Sequence, residues 1–201
     1  MVKFIFDLDG TLTKSETLPL ISHHFSLQEK IAELTMQTVQ GTVPFQESFI
    51  RRVELLGKLP VSEISALLAG VELHKKIYSF IAANQKHCII ATGNLSCWVD
   101  GLIRKIGCEA YSSEAVVEND NVTKILSLLN KETVVEYYKN QGDVVVFIGD
   151  GHNDREAMQK ADIAIATGLT HAPAQSVLSV ADYVAYTENE LCSLLNQFLS
   201  L

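Results

Sequence analysis

The sequence predicts an α/β fold: a parallel sheet core covered by helices, with a small helical cap inserted after the first strand. Three observations carry this reading. Short β-rich runs at residues 2–6, 87–91, 108–111, 144–148, 162–166 and 182–185 alternate with helix-length segments, which is the pattern of a parallel sheet with crossover helices. The run Val144, Val145, Val146, Phe147, Ile148 is apolar without a break, as a central strand covered on both faces requires. Between Ser15 and Gly70 the strand signal disappears and only helical periodicity remains. The expected organisation is a core of residues 1–14 and 71–201 and a cap of residues 15–70.

Each element has its own warrant. After the strand at 2–6, helical patterns at 27–40, 45–56 and 62–69 are separated by the breakers Gly41, Pro44, Gly57 and Pro60. The strand at 87–91 leads to a helix over 96–106, which Gly107 follows where a left-handed cap belongs. Beyond the strand at 108–111, residues 114–126 read as a hairpin with Asn119, Asp120 and Asn121 at its turn. Lys131 begins a helical stretch that ends near Tyr138 and Lys139. Three further strands follow, and Thr187 with Glu190 makes a capping box that opens the last helix.

Composition sets the outer bounds. With 201 residues, 47% hydrophobic and 20% charged, the chain can bury a sizeable core. Its 24 acidic residues against 16 basic ones give a net charge of −8, and with no Lys/Arg-rich run nucleic acid is excluded as an expected partner. Met1 leads directly into the first strand without a charged leader or long apolar segment, so neither secretion nor a membrane span is expected and a cytoplasmic location is. Cys88, Cys97, Cys108 and Cys192 form no CxxC pair, which speaks for buried thiols rather than a zinc or redox site.

The chemistry gathers at strand ends. The first strand closes on Asp7, Leu8, Asp9, Gly10 and Thr11, placing two carboxylates where open α/β sheets present ligands. Like charges this close call for a cation, and Mg²⁺ takes carboxylate and carbonyl oxygens while keeping room for a phosphate oxygen. Gly10 frees the turn, and Thr11 offers a hydroxyl and an amide to a phosphate. The strand at 144–148 ends in Gly149, Asp150, Gly151, His152, Asn153 and Asp154, two more carboxylates to complete a metal shell. Thr92, Gly93 and Asn94 close the second strand with a hydroxyl and an unhindered amide beside a helix start, which suits a phosphoryl oxygen. His152 reads as solvent-facing or as lying behind the metal ligands. His23, His24 and His171 have no partner at metal spacing and read as structural or surface groups.

These residues resemble the haloacid dehalogenase superfamily, whose core is a Rossmann-like parallel sheet, and within it the phosphoserine phosphatase-like branch. The resemblance spans nearly the whole chain. Asp7 to Thr11 matches the nucleophile motif, Thr92 and Gly93 the hydroxyl motif, Lys131 the lysine motif, and Gly149 to Asp154 the metal motif. It implies that Asp7 attacks phosphorus, that Asp9 protonates the leaving oxygen and later activates water, and that Mg²⁺ sits on Asp7, the Asp9 carbonyl and Asp150, with Asp154 orienting a water of that shell. Thr92 and a lysine neutralise the transferred group. Lys124 lies between the same strands as Lys131, and Lys131 is favoured because it opens a helix. Asn153, within the metal motif, joins the expected substrate contacts.

The cap carries substrate information. The resemblance implies that Glu16 and Arg52 hold the amino and carboxylate groups of the substrate. From spacing alone, Phe45, Phe49, Arg52 and Leu56 share one helical face, where an unpaired guanidinium is costly. Two readings stand side by side: an anion meets Arg52, or Arg52 snorkels past Phe49 and Glu16 is a helix-start acid. Asn94 departs from the family pattern, which has a second glycine there, and its side chain reshapes the pocket if it faces it. The expected function is a Mg²⁺-dependent phosphatase for a small phosphorylated metabolite, phosphoserine foremost. Its alternatives are a phosphotransferase using the same aspartyl-phosphate and a non-catalytic phosphate-binding protein.

Overall fold

The computed structural model describes residues 1–39, 43 and 45–200. Gln40 and the breakers Gly41 and Pro44 lie outside the described residues. In chain order the elements are β1 (Val2–Phe6), α1 (Thr17–His24), α2 (Gln28–Val39), α3 (Phe45–Leu56), α4 (Val61–Ala69), α5 (Lys75–Ala83), β2 (Cys88–Leu95), α6 (Ser96–Ile106), β3 (Glu109–Glu118), β4 (Asn121–Ser127), α7 (Lys131–Asn140), β5 (Val144–Gly149), α8 (Arg155–Lys160), β6 (Ile163–Thr167), α9 (Gln175–Leu178), β7 (Tyr183–Ala185) and α10 (Glu188–Phe198).

The seven strands form one sheet in the order β4-β3-β2-β1-β5-β6-β7, parallel except for β3 with β4. Strand periodicity sorts the core into two layers. Phe4, Phe6, Ile90, Val146 and Ile148 face a cluster that includes α5, α6 and α10. Ile5, Ile89, Val145 and Phe147 face Val134, Val135 and Tyr138 of α7 and Met158 of α8. The central strands are covered on both sides, which is why their sequences lack polar alternation. Gly107 ends α6 at φ 82°, and the Thr187 hydroxyl accepts from the Glu190 amide as the capping box requires.

Two elements differ from expectation. The strand expected at 108–111 runs on to Glu118, pairing with β2 first and with β4 afterwards, so the hairpin extends the sheet instead of standing apart. Between its two partners β3 runs through Ser112, Ser113 and Glu114, which carry little apolar signal. Helix α1 falls outside the helical stretches expected at 27–40, 45–56 and 62–69 and is anticipated only by the reading of Glu16 as a helix-start acid; it spans eight residues with Pro19 in its first turn, where proline is tolerated.

The chain leaves the core and returns to it side by side. Thr13 bridges Leu73, Lys14 N–H donates to Glu72 O (2.9 Å), and His74 N–H donates to Leu12 O (3.0 Å). Helix α4 lies across α6, with Ala69 and Ser65 against Gly101.

Candidate active site

Three loops converge at the carboxyl ends of β1, β2 and β5. Because β1 sits between β2 and β5, the sheet reverses direction of winding here, and the crevice at such a point takes ligands. Asp7 continues the ladder, its N–H donating to Ile148 O (2.8 Å), and is almost wholly buried. At Gly10 the backbone turns through φ +72°, and a side chain there would meet Glu16 Oε1 at 2.8 Å and Asp150 Oδ2 at 3.0 Å. One carboxylate oxygen from each of Asp7, Asp150 and Asp154 lies within 4.8 Å of the others.

Lys131, the first residue of α7, reaches this cluster from below. Its Nζ donates to Asp7 Oδ1 and Asp154 Oδ1, each at 2.6 Å, with the lysine 3% exposed. Lys124 lies exposed on β4. Asp154 is fixed from its other oxygen, which accepts from the Asp150 N–H (3.0 Å) and the Gly151 N–H (2.9 Å). Thr11 departs from expectation: it is fully buried and its hydroxyl donates to Asp150 Oδ1 (2.6 Å), so that hydroxyl orients a carboxylate rather than a phosphate.

The charges do not balance. Burial, and then the neighbouring Asp154, push the Asp7 carboxyl well above its usual range. Burial and Asp154 likewise push Asp150 up to about 7, against the opposing Thr11 hydrogen bond. Burial alone would discharge Lys131, but Asp154 and Asp7 outweigh it and hold the ammonium above its ordinary value. The Lys131 ammonium meets only Asp7 and Asp154, while Asp150 has the partly exposed His171 beside it, and an all-oxygen cluster of three buried carboxylates fits a hard divalent cation.

Asp9 is turned the other way. Its Oδ1 accepts from Thr17 N–H (2.9 Å) at the start of α1 and its Oδ2 from Asn94 Nδ2 (3.1 Å), so its side chain stands apart from the three clustered carboxylates. Asn94 reaches it because the β2–β3 register shifts between Ala91 and Leu95, and such bulges re-aim side chains. Ser113 Oγ donates to Gly93 O (2.8 Å) and anchors the bulge. Thr92 is buried; its hydroxyl accepts from the Asn94 N–H (3.1 Å) and does not bound the main cavity.

That cavity, of about 310 Å³, brings Asp7, Asp9, Gly93, Asn94, Asp150 and Asn153 together with Glu16, which precedes α1, and with Phe49 and Arg52 of α3. Arg52 forms no hydrogen bond or ion pair among the described residues, and its buried Nε has no partner. Burial lowers its pKa while Glu16 opposes that shift. The side chain of Phe45 lies outside the described residues. A second cavity, of about 290 Å³, adjoins the first across Phe49, Gly93 and Asn153 and is bounded by Lys131.

His171, read as a structural or surface group without a partner at metal spacing, is exposed but stands against two site carboxylates. Its Nε2 lies 2.8 Å from Glu16 Oε1 and 3.1 Å from Asp150 Oδ2. Burial works against its charge, but the Ala172 carbonyl, Glu16 and Asp150 raise its pKa overall. Nothing local marks this histidine, since its partners are 155 residues away at Glu16 and in the motif after β5. His152 is exposed, with Nδ1 2.7 Å from Ser176 Oγ.

The sequence model of the haloacid dehalogenase-like hydrolases matches residues 4–162. Among curated proteins, a phosphoserine phosphatase of Archaeoglobus fulgidus is 27% identical over 176 residues, covering 81% of this chain and 51% of that protein. One of Methanocaldococcus jannaschii is 25% identical over 81% of this chain and 83% of its own length. The chain therefore spans about half of the first relative and most of the second. Two solved structures share the fold: a phospho-aspartyl intermediate analogue of phosphoserine phosphatase (TM-score 0.78, 22% identity, 96% of this chain and 99% of that one) and a substrate-bound phosphoserine phosphatase complex (TM-score 0.79, 22% identity, 96% and 98%). The chain belongs to the haloacid dehalogenase-like hydrolases. Within that family it falls in the phosphoserine phosphatase-like branch.

Proposed function

We propose that this protein is a Mg²⁺-dependent phosphatase that hydrolyses a small carboxylated phosphomonoester, phosphoserine foremost, through an aspartyl-phosphate on Asp7. The hydrolase class follows from the family; the residue roles and substrate are the proposal. The observation that carries it is the clustering of three buried carboxylates, Asp7, Asp150 and Asp154, of which Lys131 meets only Asp7 and Asp154, beside a cavity that Asp7 and Asp150 line together with Arg52. Mg²⁺ held by Asp7, Asp150 and the Asp9 carbonyl, with Asp154 behind them, would compensate that charge and draw in the phosphate. Asp7 attacks phosphorus as the ester P–O bond breaks, and Asp9 gives its proton to the leaving alcohol oxygen. Asp9 then takes a proton from water, whose oxygen attacks the same phosphorus and restores the Asp7 carboxylate. Lys131 stands beside the attacking carboxylate, and Gly93 and Asn153 line the cavity that would take the equatorial oxygens.

Residues 15–70 act as the cap in this reading. Arg52 meets the substrate carboxylate, and Glu16 an ammonium once His171 gives way. A cavity of this size suits a small metabolite. A cytoplasmic site of action is proposed with it; no helix among the described residues is long and apolar enough to cross a membrane. Phosphate release from a panel of small esters, with Mg²⁺ and with chelator, tests the proposal. Metal-dependent release led by L-phosphoserine is expected, and Arg52→Ala should raise its KM about 10- to 100-fold while sparing an aryl phosphate. Metal-independent release, or equal losses on both esters, would refute it.

A further inference from the structure

Among the described residues only three buried side-chain polar atoms lack a hydrogen-bond partner: Arg52 Nε, Trp98 Nε1 and Asn94 Oδ1. A buried acceptor without a donor is destabilising, and such an atom in an otherwise satisfied fold asks for a reason. For Asn94 the reason lies on the other side of the same amide. Its Nδ2 donates to Asp9 Oδ2 (3.1 Å) and to Thr17 Oγ1 (2.5 Å). Rotating the amide to satisfy Oδ1 would turn that oxygen against the Asp9 carboxylate. The orientation is thus set by Asp9, and the orphaned oxygen is its consequence.

We propose that Asn94 is a positioning residue for the proton donor, holding the Asp9 carboxyl against the start of α1 so that its free face meets the leaving oxygen. This rests on the phosphatase reading. The clamp has two jaws: Thr17 N–H grips Oδ1 and Asn94 grips Oδ2. Each carboxyl oxygen keeps a second lone-pair site, so both contacts persist while Asp9 carries its proton. As the Asp7–phosphorus bond forms and the ester P–O bond breaks, that proton passes to the alkoxide oxygen and the clamp retains the carboxylate. The clamp is itself stiff, because the Asn94 amide donates to Thr92 Oγ1 and the bulge around Gly93 is pinned by Ser113. The sequence signal was the asparagine in place of a glycine, whose side chain joins β2 to α1 where a glycine would leave Asp9 Oδ2 unheld.

The role separates from plain structural support by leaving group. An alkoxide needs a proton to depart, whereas an acidic phenol such as p-nitrophenol leaves without one. Steady-state kinetics of Asn94→Gly and Asn94→Ala, in Mg²⁺, should therefore show kcat/KM lowered about 10- to 100-fold on L-phosphoserine or a simple alkyl phosphate, and within about 3-fold of wild type on p-nitrophenyl phosphate. Tm should change little, because the orphaned oxygen disappears together with the two bonds that Nδ2 donates to Asp9 and Thr17. Thr17→Ala, which keeps the backbone jaw, should give a weaker form of the same pattern. Equal losses on alkyl and aryl esters, a lowered Tm that accounts for them, or an undiminished alkyl rate would overturn the role of Asn94. If the wild-type protein hydrolyses neither ester, the phosphatase reading itself falls.

Discussion

Asp7 combines two properties that its immediate surroundings explain. It is buried among like charges, which raises its pKa, and it shares Lys131 with Asp154. Asp7→Asn keeps the shape, removes the nucleophile and relieves one of three crowded carboxylates. The expected outcome is turnover lowered by a factor on the order of 10³ or more, with the Tm of the metal-free protein at or above that of wild type. Phosphate release and a thermal melt read the two effects separately, and an active variant would sink the covalent mechanism. Lys131 was favoured over Lys124 because the family resemblance calls for a lysine in that segment and Lys131 opens a helix, and its Nζ lies between Asp7 and Asp154. Thr11 was legible as a site residue but not in its direction: which way a short hydroxyl points depends on Asp150, 139 residues away.

At the scale of elements, the hairpin expected from Asn119, Asp120 and Asn121 does more than reverse the chain. Asn119 and Asp120 take φ of 49° and 64°, and the turn grips the elbow between α3 and α4. Val61 N–H donates to Asp120 O (2.7 Å), Ser62 N–H to Asp120 Oδ1 (2.9 Å), Ser62 Oγ to Asp120 Oδ2 (2.6 Å), and Asn121 Nδ2 to Lys58 O (2.9 Å). Asp120 thus caps α4 from outside its own segment, a task for which the helix has no side chain of its own at Pro60. Asp120→Ala should lower the denaturation midpoint, as loss of a helix cap does, and Asp120→Asn should recover part of it. No loss in the alanine variant would mean that the elbow is held by packing alone. The hairpin could be read from its turn residues, whereas its partner could not, because capping in trans leaves no periodic mark. The parallel strands were legible for the opposite reason: burial on both faces writes an unbroken apolar run.

On the scale of the whole molecule, the sheet collects its charge problem at one place, and stability should report it. A carboxyl whose pKa is raised in the folded state binds more protons there than in the unfolded chain, so folding weakens as pH rises across the interval between the two values. For Asp150 that interval runs from 3.8 to about 7. Asp7 and Glu16, both raised with burial as the leading cause, act in the same sense. The raised His171 does too, its contribution being present below its unfolded pKa and lost above the folded one. His74, lowered by burial, opposes them as a single group. The Tm of the metal-free protein should therefore fall between pH 5 and pH 8. Mg²⁺ competes with protons for the same oxygens, so the rise in Tm on adding it should be larger at pH 8 than at pH 5. Melts at both pH values, with Mg²⁺ and with chelator, decide the matter. A metal-induced rise that is equal at the two pH values would mean that the cation binds away from Asp7, Asp150 and Asp154, and the convergence of β1 and β5 would then need another explanation.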